Sequence, residues 1–477
     1  VVGGYTKGKG SRAPLGALLL GYWEGGELRY ASHVGSGFDD ATLAEAKKRL
    51  EPLRRDSCPF AEKPELQSPT VWVEPKVVAE VKFQNWTDEG SLRAPVFLRF
   101  RDDLEPKEAR RAKVQHHVEA EGEIGAILRQ LDNSKTSLTL AVGNHQIRLT
   151  HLDRVYWPAD PALKQPALTK RDLLRYFAQI SPFMLPHLAD RPLTMIRMPD
   201  GIHGQRFYQK HWSQERPAFA ETITVFSDHK DESHDYLLCN NLPTLLWLAQ
   251  SGTLEFHVWH SRAKVAPDAS TKATDYASSL ESLEQSVLNY PDYVVFDIDP
   301  YIYSGKEAPG DEPELNNVAF EKGKEVAFRL RELLNSMALE PIVKTSGKTG
   351  LHVFLPIRRT IDFDAARQVS EFVGRHLMRL HPKDITLEWS VPKRTGKIFM
   401  DYNMNVRGKT LNVAYSPRGA PGAPVSMPLT WEELAGAHPL DFRITNAAER
   451  LAQTGDRWRE ALSRKQSLEK ALEGAKT

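Results

Sequence analysis

The feature that most constrains this chain is a densely charged, apolar-poor stretch from Glu105 to about Ser137, including EPKEARRAKVQHHVEAEGE. Such a segment buries too little surface to offset the entropy of ordering itself, so it separates two folding units. Length points the same way: the chain has 477 residues, and single cores rarely grow past about 250–300. The expected organisation is a small β-rich domain at 1–105, a charged and partly helical linker at 106–137, a larger domain at 138–465 and a charged tail at 466–477.

Within the first unit, GALLLGYWEGGELRYASHVGSGF predicts a hairpin turning at Glu24-Gly25-Gly26. Leu43, Ala46, Leu50 and Leu53 recur at helical spacing, predicting a helix over Ala41–Leu53. VWVEPKVVAEVKFQNW reads as strands broken at Pro75, so the unit is expected to be a small all-β barrel with one helix. The second unit alternates helical and strand patterns, an α/β or α+β class. Leu173, Leu174, Phe177 and Ile180 mark one amphipathic helix, and Val326, Leu330, Leu333 and Met337 another. YVVFDIDP, GLHVFLPI and KIFMDY are short apolar strands, while Lys264–Ser286 and Tyr301–Asn317 are expected to be exposed, irregular insertions.

Composition excludes several classes. No apolar run approaches the 18 or so residues of a membrane span. Cys58 and Cys239 are too few for a disulfide framework or a zinc module, which fits a reducing compartment. Net charge is +1, so binding to a polyanion has to come from local basic patches. The start at Val1 reads as a trimmed chain or the tail of a longer polypeptide.

Chemistry concentrates in three segments. Asp297 and Asp299 are two apart on an apolar strand, so their carboxylates leave one face with Cα atoms about 6–7 Å apart. Two acids so placed repel unless a cation lies between them, and hard oxygen ligands suit Mg²⁺ or Mn²⁺. The competing reading is an Asp-Pro strand end. KTSGKTGLH, from Lys344 to His352, has glycines at 347 and 350 that let backbone N–H groups approach a phosphate, with Ser346, Lys348 and His352 as donors. It is not a Walker A loop, because the required first glycine position is Ile342 and the loop precedes a strand; a plain tight turn is the other reading. In VPKRTGKIFMDY, Asp401 follows Lys393, Arg394 and Lys397. It is either a hydrogen-bonded structural group or the third acid of a two-metal phosphoryl-transfer site.

In this order the segments resemble the polymerase domain of bacterial DNA ligase D, of the archaeo-eukaryotic primase type. The resemblance covers about 138–465 and rests on HLDRVYWP, LTKRDLLRYF, LPHLADRPLTMIRMPDGI, RFYQKH, LEFHVW, FDIDP, KTSGKTGLHVFLPI, GKIFMDY and AYSPRGAPGAPVSMPLTWEEL. Residues 1–105 are similar to the OB domain that ends an ATP-dependent ligase, through VVGGYTKGKGSR, GALLLGYW, HVGSGF, WVEPKVVAEVKFQNWT and FLRFRDD.

The resemblance implies that Asp297, Asp299 and Asp401 hold two divalent ions, Mn²⁺ or Mg²⁺. It implies that Ser346, Gly347, His352, Arg394, Arg418, Lys210 and His257 grip a nucleoside triphosphate. Phe207 and Tyr208 match an aromatic pair that stacks on template, and Lys170 matches a lysine that holds a 5′-phosphate. Arg154 replaces a second such lysine, keeping the charge but exchanging a point charge for a bidentate fork. Implied with them are a template-dependent polymerase of non-homologous end joining, a preference for ribonucleotides, gapped or overhanging DNA ends as substrate, a Ku-type end-binding partner, and a cytoplasmic, nucleoid-associated location in a bacterium.

Two departures stand out. No K-x-D-G occurs in the 477 residues, and the last OB motif ends Arg101-Asp102-Asp103-Leu104 where the family has RxDK, so this chain is not expected to seal nicks by itself. The Lys264–Ser286 segment is longer than is usual for the family. Two other readings remain: an inactive scaffold that holds DNA ends, and a fragment of a ligase–polymerase whose adenylation domain lies elsewhere.

Overall fold

A strand whose residues are apolar regardless of parity has to be covered on both faces, and YVVFDID meets that condition at the centre of the second unit. The computed structural model describes every residue except 8–14, 25, 65, 67, 84–90, 93–94, 102–103, 110–114, 228–229, 301–314, 395, 462, 464 and 470–477. The chain divides into one unit spanning Val1–Glu119 and another spanning Ala120–Thr477.

In the first unit, strands Ala17–Glu24 and Glu27–Val34 form the expected hairpin. They extend a five-stranded antiparallel sheet through Val2–Thr6, Thr70–Val73 and Arg54–Arg55. A ribbon of Val78–Lys82 and Val96–Arg101 is tied to the sheet by the Val2 N–H to Val77 O and the Phe97 N–H to Ser36 O bonds. The result is an OB-like barrel. Gly37 permits this closure: its φ is +90°, and a Cβ there would lie 2.2 Å from Phe97 O. The helix begins at an Asp39 cap, runs Asp40–Leu50 and tightens into a 3₁₀ turn at Glu51–Leu53. The eroded motif at Asp102 and Asp103 lies outside the described residues, as do parts of the N-terminal VVGGYTKGKGSR and of FQNWT.

The second unit holds two main sheets. In the six-stranded one, Tyr293–Asp299 lies between Ile398–Asp401 and Leu351–Pro356; Ile342–Thr345 and Pro428–Leu429 follow the latter, and Ile385–Thr386 flanks the former. The four-stranded sheet runs Phe207–Gln209, Leu193–Arg197, Thr253–Trp259, Thr410–Asn412. Helix Lys170–Leu188 starts with a reciprocal Thr169–Asp172 capping box and buries Leu173, Leu174, Phe177 and Ile180. Helix Asn317–Ser336 likewise buries Val326, Ala327, Leu330 and Leu334.

Three expectations are corrected. The stretch read as linker contains helix Gln115–Leu131, whose Ile127 and Leu131 are fully buried in the core of the second unit. Two apolar residues at i and i+4 suffice to dock a helix, and the surrounding charge hid them. The tail is packed at its start: Gln466 bonds Glu340 and Pro356, and Leu468 is buried. Lys264–Ser286 is not loose either, because the buried Arg359 donates to the Lys264, Val265 and Ala266 carbonyls and to Asp268. Leu283 of that segment joins a small core with Ile223, Val225, Leu238, Trp259 and Leu288. Residues 301–314 of the other insertion lie outside the described residues. Among the described residues no helix is long and apolar enough to cross a membrane.

Candidate active site

Antiparallel pairing puts the predicted acids side by side. Asp297 pairs with Asp401 on one neighbouring strand and with His352 on the other, and His352 pairs in turn with Lys344. One row across four strands therefore reads Asp401, Asp297, His352, Lys344. All but Lys344 line a cavity of about 490 Å³ shared with Asp299, His257, Ser346, Arg394, Arg418, Arg206 and Asn412. The acids and the glycine loop come from the six-stranded sheet, and His257 and Asn412 from the four-stranded one.

The electrostatics of the row centre on Asp297, whose ionised form is opposed by burial and by its acidic neighbours. Burial, then Asp401, then Asp299 push the Asp297 carboxyl up to about 8. Burial also raises Asp401, whose Oδ1 accepts the Asn403 N–H at 2.9 Å. His352 Nε2 lies 3.5 Å from Asp297 Oδ1, and burial with the adjacent Lys344 amine keeps the imidazole neutral. Among the described residues no trio of His, Cys, Asp or Glu converges tightly enough to grip a metal ion as the side chains stand. The donor set still suits a hard cation: facing carboxylates that destabilise one another are what Mg²⁺ or Mn²⁺ would relieve.

The glycine loop wraps onto itself. Ser346 Oγ accepts the Gly350 N–H at 2.8 Å and the Lys348 N–H at 3.2 Å. Gly347 has φ +77°, and a Cβ there would meet Arg418 Cγ at 2.7 Å and Ser426 N at 2.9 Å. Arg418 NH1 donates to Ser346 O at 3.0 Å, so loop and arginine are built as one piece. Arg394 is buried over the Phe399 ring at 3.5 Å and donates to the Glu388 and Trp389 carbonyls.

The peripheral predictions divide. Lys170 is 5% exposed, and burial followed by neighbouring Arg154 pushes its amine down to about 8. Among the described residues that amine has no acidic partner. Arg154 is already engaged, with Asp200 at 2.6 Å and Pro199 O at 2.9 Å. Phe207 and Tyr208 stand exposed on an edge strand, at 41% and 61%. Lys210 lies over the Tyr208 ring rather than among the residues lining the cavity.

Sequence reading missed Glu255 and Lys344 as parts of the site. Glu255 is fully buried yet ionised, paired with Arg418 Nε at 3.2 Å and His257 Nε2 at 3.1 Å while accepting the Gly419 N–H at 2.9 Å. Those partners outweigh its burial and hold it below the usual carboxylate range. The available signal was an acid inside the apolar strand TLEFHVW, two residues from His257 and so on the same face.

Residues 169–458 match the family model described as the LigD primase-polymerase domain. The chain belongs to that family. Residues 11–104 match the C-terminal region of ATP-dependent DNA ligases. The multifunctional non-homologous end joining protein LigD of Pseudomonas aeruginosa is 30% identical over 99% of this chain and 51% of its own length. The bifunctional LigD of Bacillus subtilis is 25% identical over 80% of this chain and 51% of its own length. The chain thus spans about half the length of these LigD relatives. The structure of the polymerase domain of Mycobacterium tuberculosis ligase D in complex with DNA superposes with a TM-score of 0.55 at 27% identity, covering 67% of this chain and 99% of that one.

Proposed function

We propose that this LigD-family chain is a template-dependent nucleotidyltransferase that fills or extends DNA ends in non-homologous end joining. The observation that carries the reading is the strand register that faces Asp297 with Asp401 and with His352, in one cavity with Ser346 and Arg418.

In this reading Asp297, Asp299 and Asp401 would hold two divalent ions, Mn²⁺ or Mg²⁺, whose chemistry is to stabilise charge on the attacking and leaving oxygens. Arg418, Arg394, His257, His352 and the Ser346-Gly347 loop surround the triphosphate with donors and positive charge. The primer 3′-hydroxyl attacks the α-phosphorus in line and pyrophosphate leaves. Glu255 fixes the direction of Arg418 through the ion pair, and of His257 through the hydrogen bond, described above.

Lys170 is the group for a 5′-phosphate at the far side of a gap, orienting the end without reading bases. Arg154 would have to leave Asp200 to help it. Phe207 and Tyr208 offer faces on which any base can stack, at about 1–3 kcal/mol each. Lys210, resting on Tyr208, serves the nucleic acid more readily than the triphosphate. Sealing is assigned to no residue of this chain, since the adenylated lysine motif is absent from it. A Ku-type end-binding protein would be its partner, in a nucleoid-associated setting.

The test is primer extension on a gapped, 5′-phosphorylated template with Mn²⁺ or Mg²⁺ and either ribo- or deoxynucleotides. Extension by the wild-type protein and none by Asp297→Ala supports the proposal. Equal DNA binding without extension by either would leave a scaffold that holds ends.

A further inference from the structure

Trp389 is 61% exposed and lines the cavity that holds the three acids. A single exposed apolar side chain means little by itself; its place in that cavity is what matters. Among the described residues, the other exposed aromatic rings of the second unit, Phe207, Tyr208 and Phe372, do not line the cavity. The indole is also braced, although it is uncovered. Its backbone carbonyl accepts from Arg394, whose Nε donates to Glu388 O at 2.9 Å. The Arg394 guanidinium lies 3.5 Å from the Phe399 ring centroid and 5.6 Å from that of Trp389. Phe399 meets the indole edge-on, with centroids 6.2 Å apart and ring planes at 74°. Phe399 is in turn the cross-strand partner of Asp299, two residues before Asp401.

A nucleobase is the part of a nucleotide that such a ring receives, because every base has a π face and stacking needs no hydrogen-bond code. We infer that Trp389 is a substrate-binding residue that stacks on the base of the incoming nucleoside triphosphate. Phe207 and Tyr208, which do not line the cavity, are left to the template. The incoming base is favoured over a primer base because the Trp389 carbonyl is bound by Arg394, a group assigned above to the triphosphate. Base and triphosphate of one nucleotide are then received by one piece of chain. The contact is indifferent to which base arrives, as template-directed addition requires, and selection stays with base pairing. This inference rests on the polymerase reading of the cavity.

The experiment compares two probes in the presence of Mn²⁺: a nucleoside triphosphate, and inorganic tripolyphosphate, which has the phosphates and no base. Both are titrated onto the wild type, Trp389→Phe and Trp389→Ala. Trp389→Ala should weaken the nucleoside triphosphate about fivefold or more, for purines and pyrimidines alike, and leave tripolyphosphate unchanged. Trp389→Phe keeps an aromatic face and should retain most of the affinity. In primer extension, Trp389→Ala should raise KM for the nucleotide with a smaller change in kcat. The side chain is largely exposed, so the thermal midpoint should stay where it is.

Equal losses for the two probes would mean a displaced Arg394 and overturn the inference, as would unchanged affinity for both. Weaker binding of gapped DNA with unchanged nucleotide affinity also overturns it and places the ring on the primer. If the wild type binds neither probe, the polymerase reading fails and takes the inference with it. If the wild type binds both and extends primers, that reading stands, and the Trp389 variants decide the role of the indole alone.

Discussion

Asp297 and Asp401 face one another as a directly paired couple on neighbouring antiparallel strands, and Asp297 bears most of the strain of that meeting. Replacing either with Asn should cut primer extension about a thousandfold or more. The same Asp297→Asn change replaces a carboxyl whose ionised form burial and like charges oppose, so thermal unfolding without divalent ions should occur no lower than in the wild type. Extension assays and calorimetry on one preparation check both halves.

Glu255 joins Arg418 to His257 from a position with no solvent contact. Glu255→Ala strands the Arg418 guanidinium, takes the acceptor from His257 Nε2 and should cost about 3–5 kcal/mol of stability, together with a rise in nucleotide KM. Glu255→Gln keeps an acceptor for Gly419 and should cost less. Denaturant unfolding and nucleotide titrations separate the two effects.

Gly347 meets two independent demands, a φ of +77° and contact with Arg418 and Ser426. Gly347→Ala should lose about 1–3 kcal/mol and disturb Arg418, lowering activity. Gly26, with φ +89° and no atom within 4 Å of the place a Cβ would take, is the control. Gly26→Ala should cost only about 1 kcal/mol and leave extension unchanged.

Lys170 is a buried amine pushed down to about 8. Extension of a gap bearing a 5′-phosphate should exceed that of a 5′-hydroxyl gap, and Lys170→Ala should erase the difference. In the wild type the preference should weaken as pH rises through about 8, because the amine is charged only below that value. Paired templates assayed across pH 7–9 test this.

Acid should destabilise the second unit in two stages. Burial, then Arg191 and Lys344, push His260 down to about 3. An unfolded histidine takes up a proton near pH 6.5 while the folded one does not, so stability is full above about 6.5 and falls as pH drops below it. Asp292 is wholly buried against Arg191, Arg262 and Lys465, which hold it far below the usual carboxylate range. Its contribution is present above about pH 4 and is lost on further acidification toward the folded value. Tm measured from pH 7 to 3 should show the first decline, and His260→Gln should flatten it.

The three acids and the glycine loop were legible in the amino-acid order, because each sits in a short apolar or glycine-rich frame; the division into two units was marked by the charged stretch, and Arg418 only by the family resemblance. Local pattern fixes what a strand presents on each face. It says nothing about which strand comes to lie beside it. That Asp401 faces Asp297, that His352 flanks it on the other side, and that Lys344 backs His352 followed only from the register of four strands drawn from residues far apart in sequence. Glu255 was invisible for a related reason: a buried acid becomes intelligible only once the arginine that neutralises it, more than 160 positions away, is seen against it.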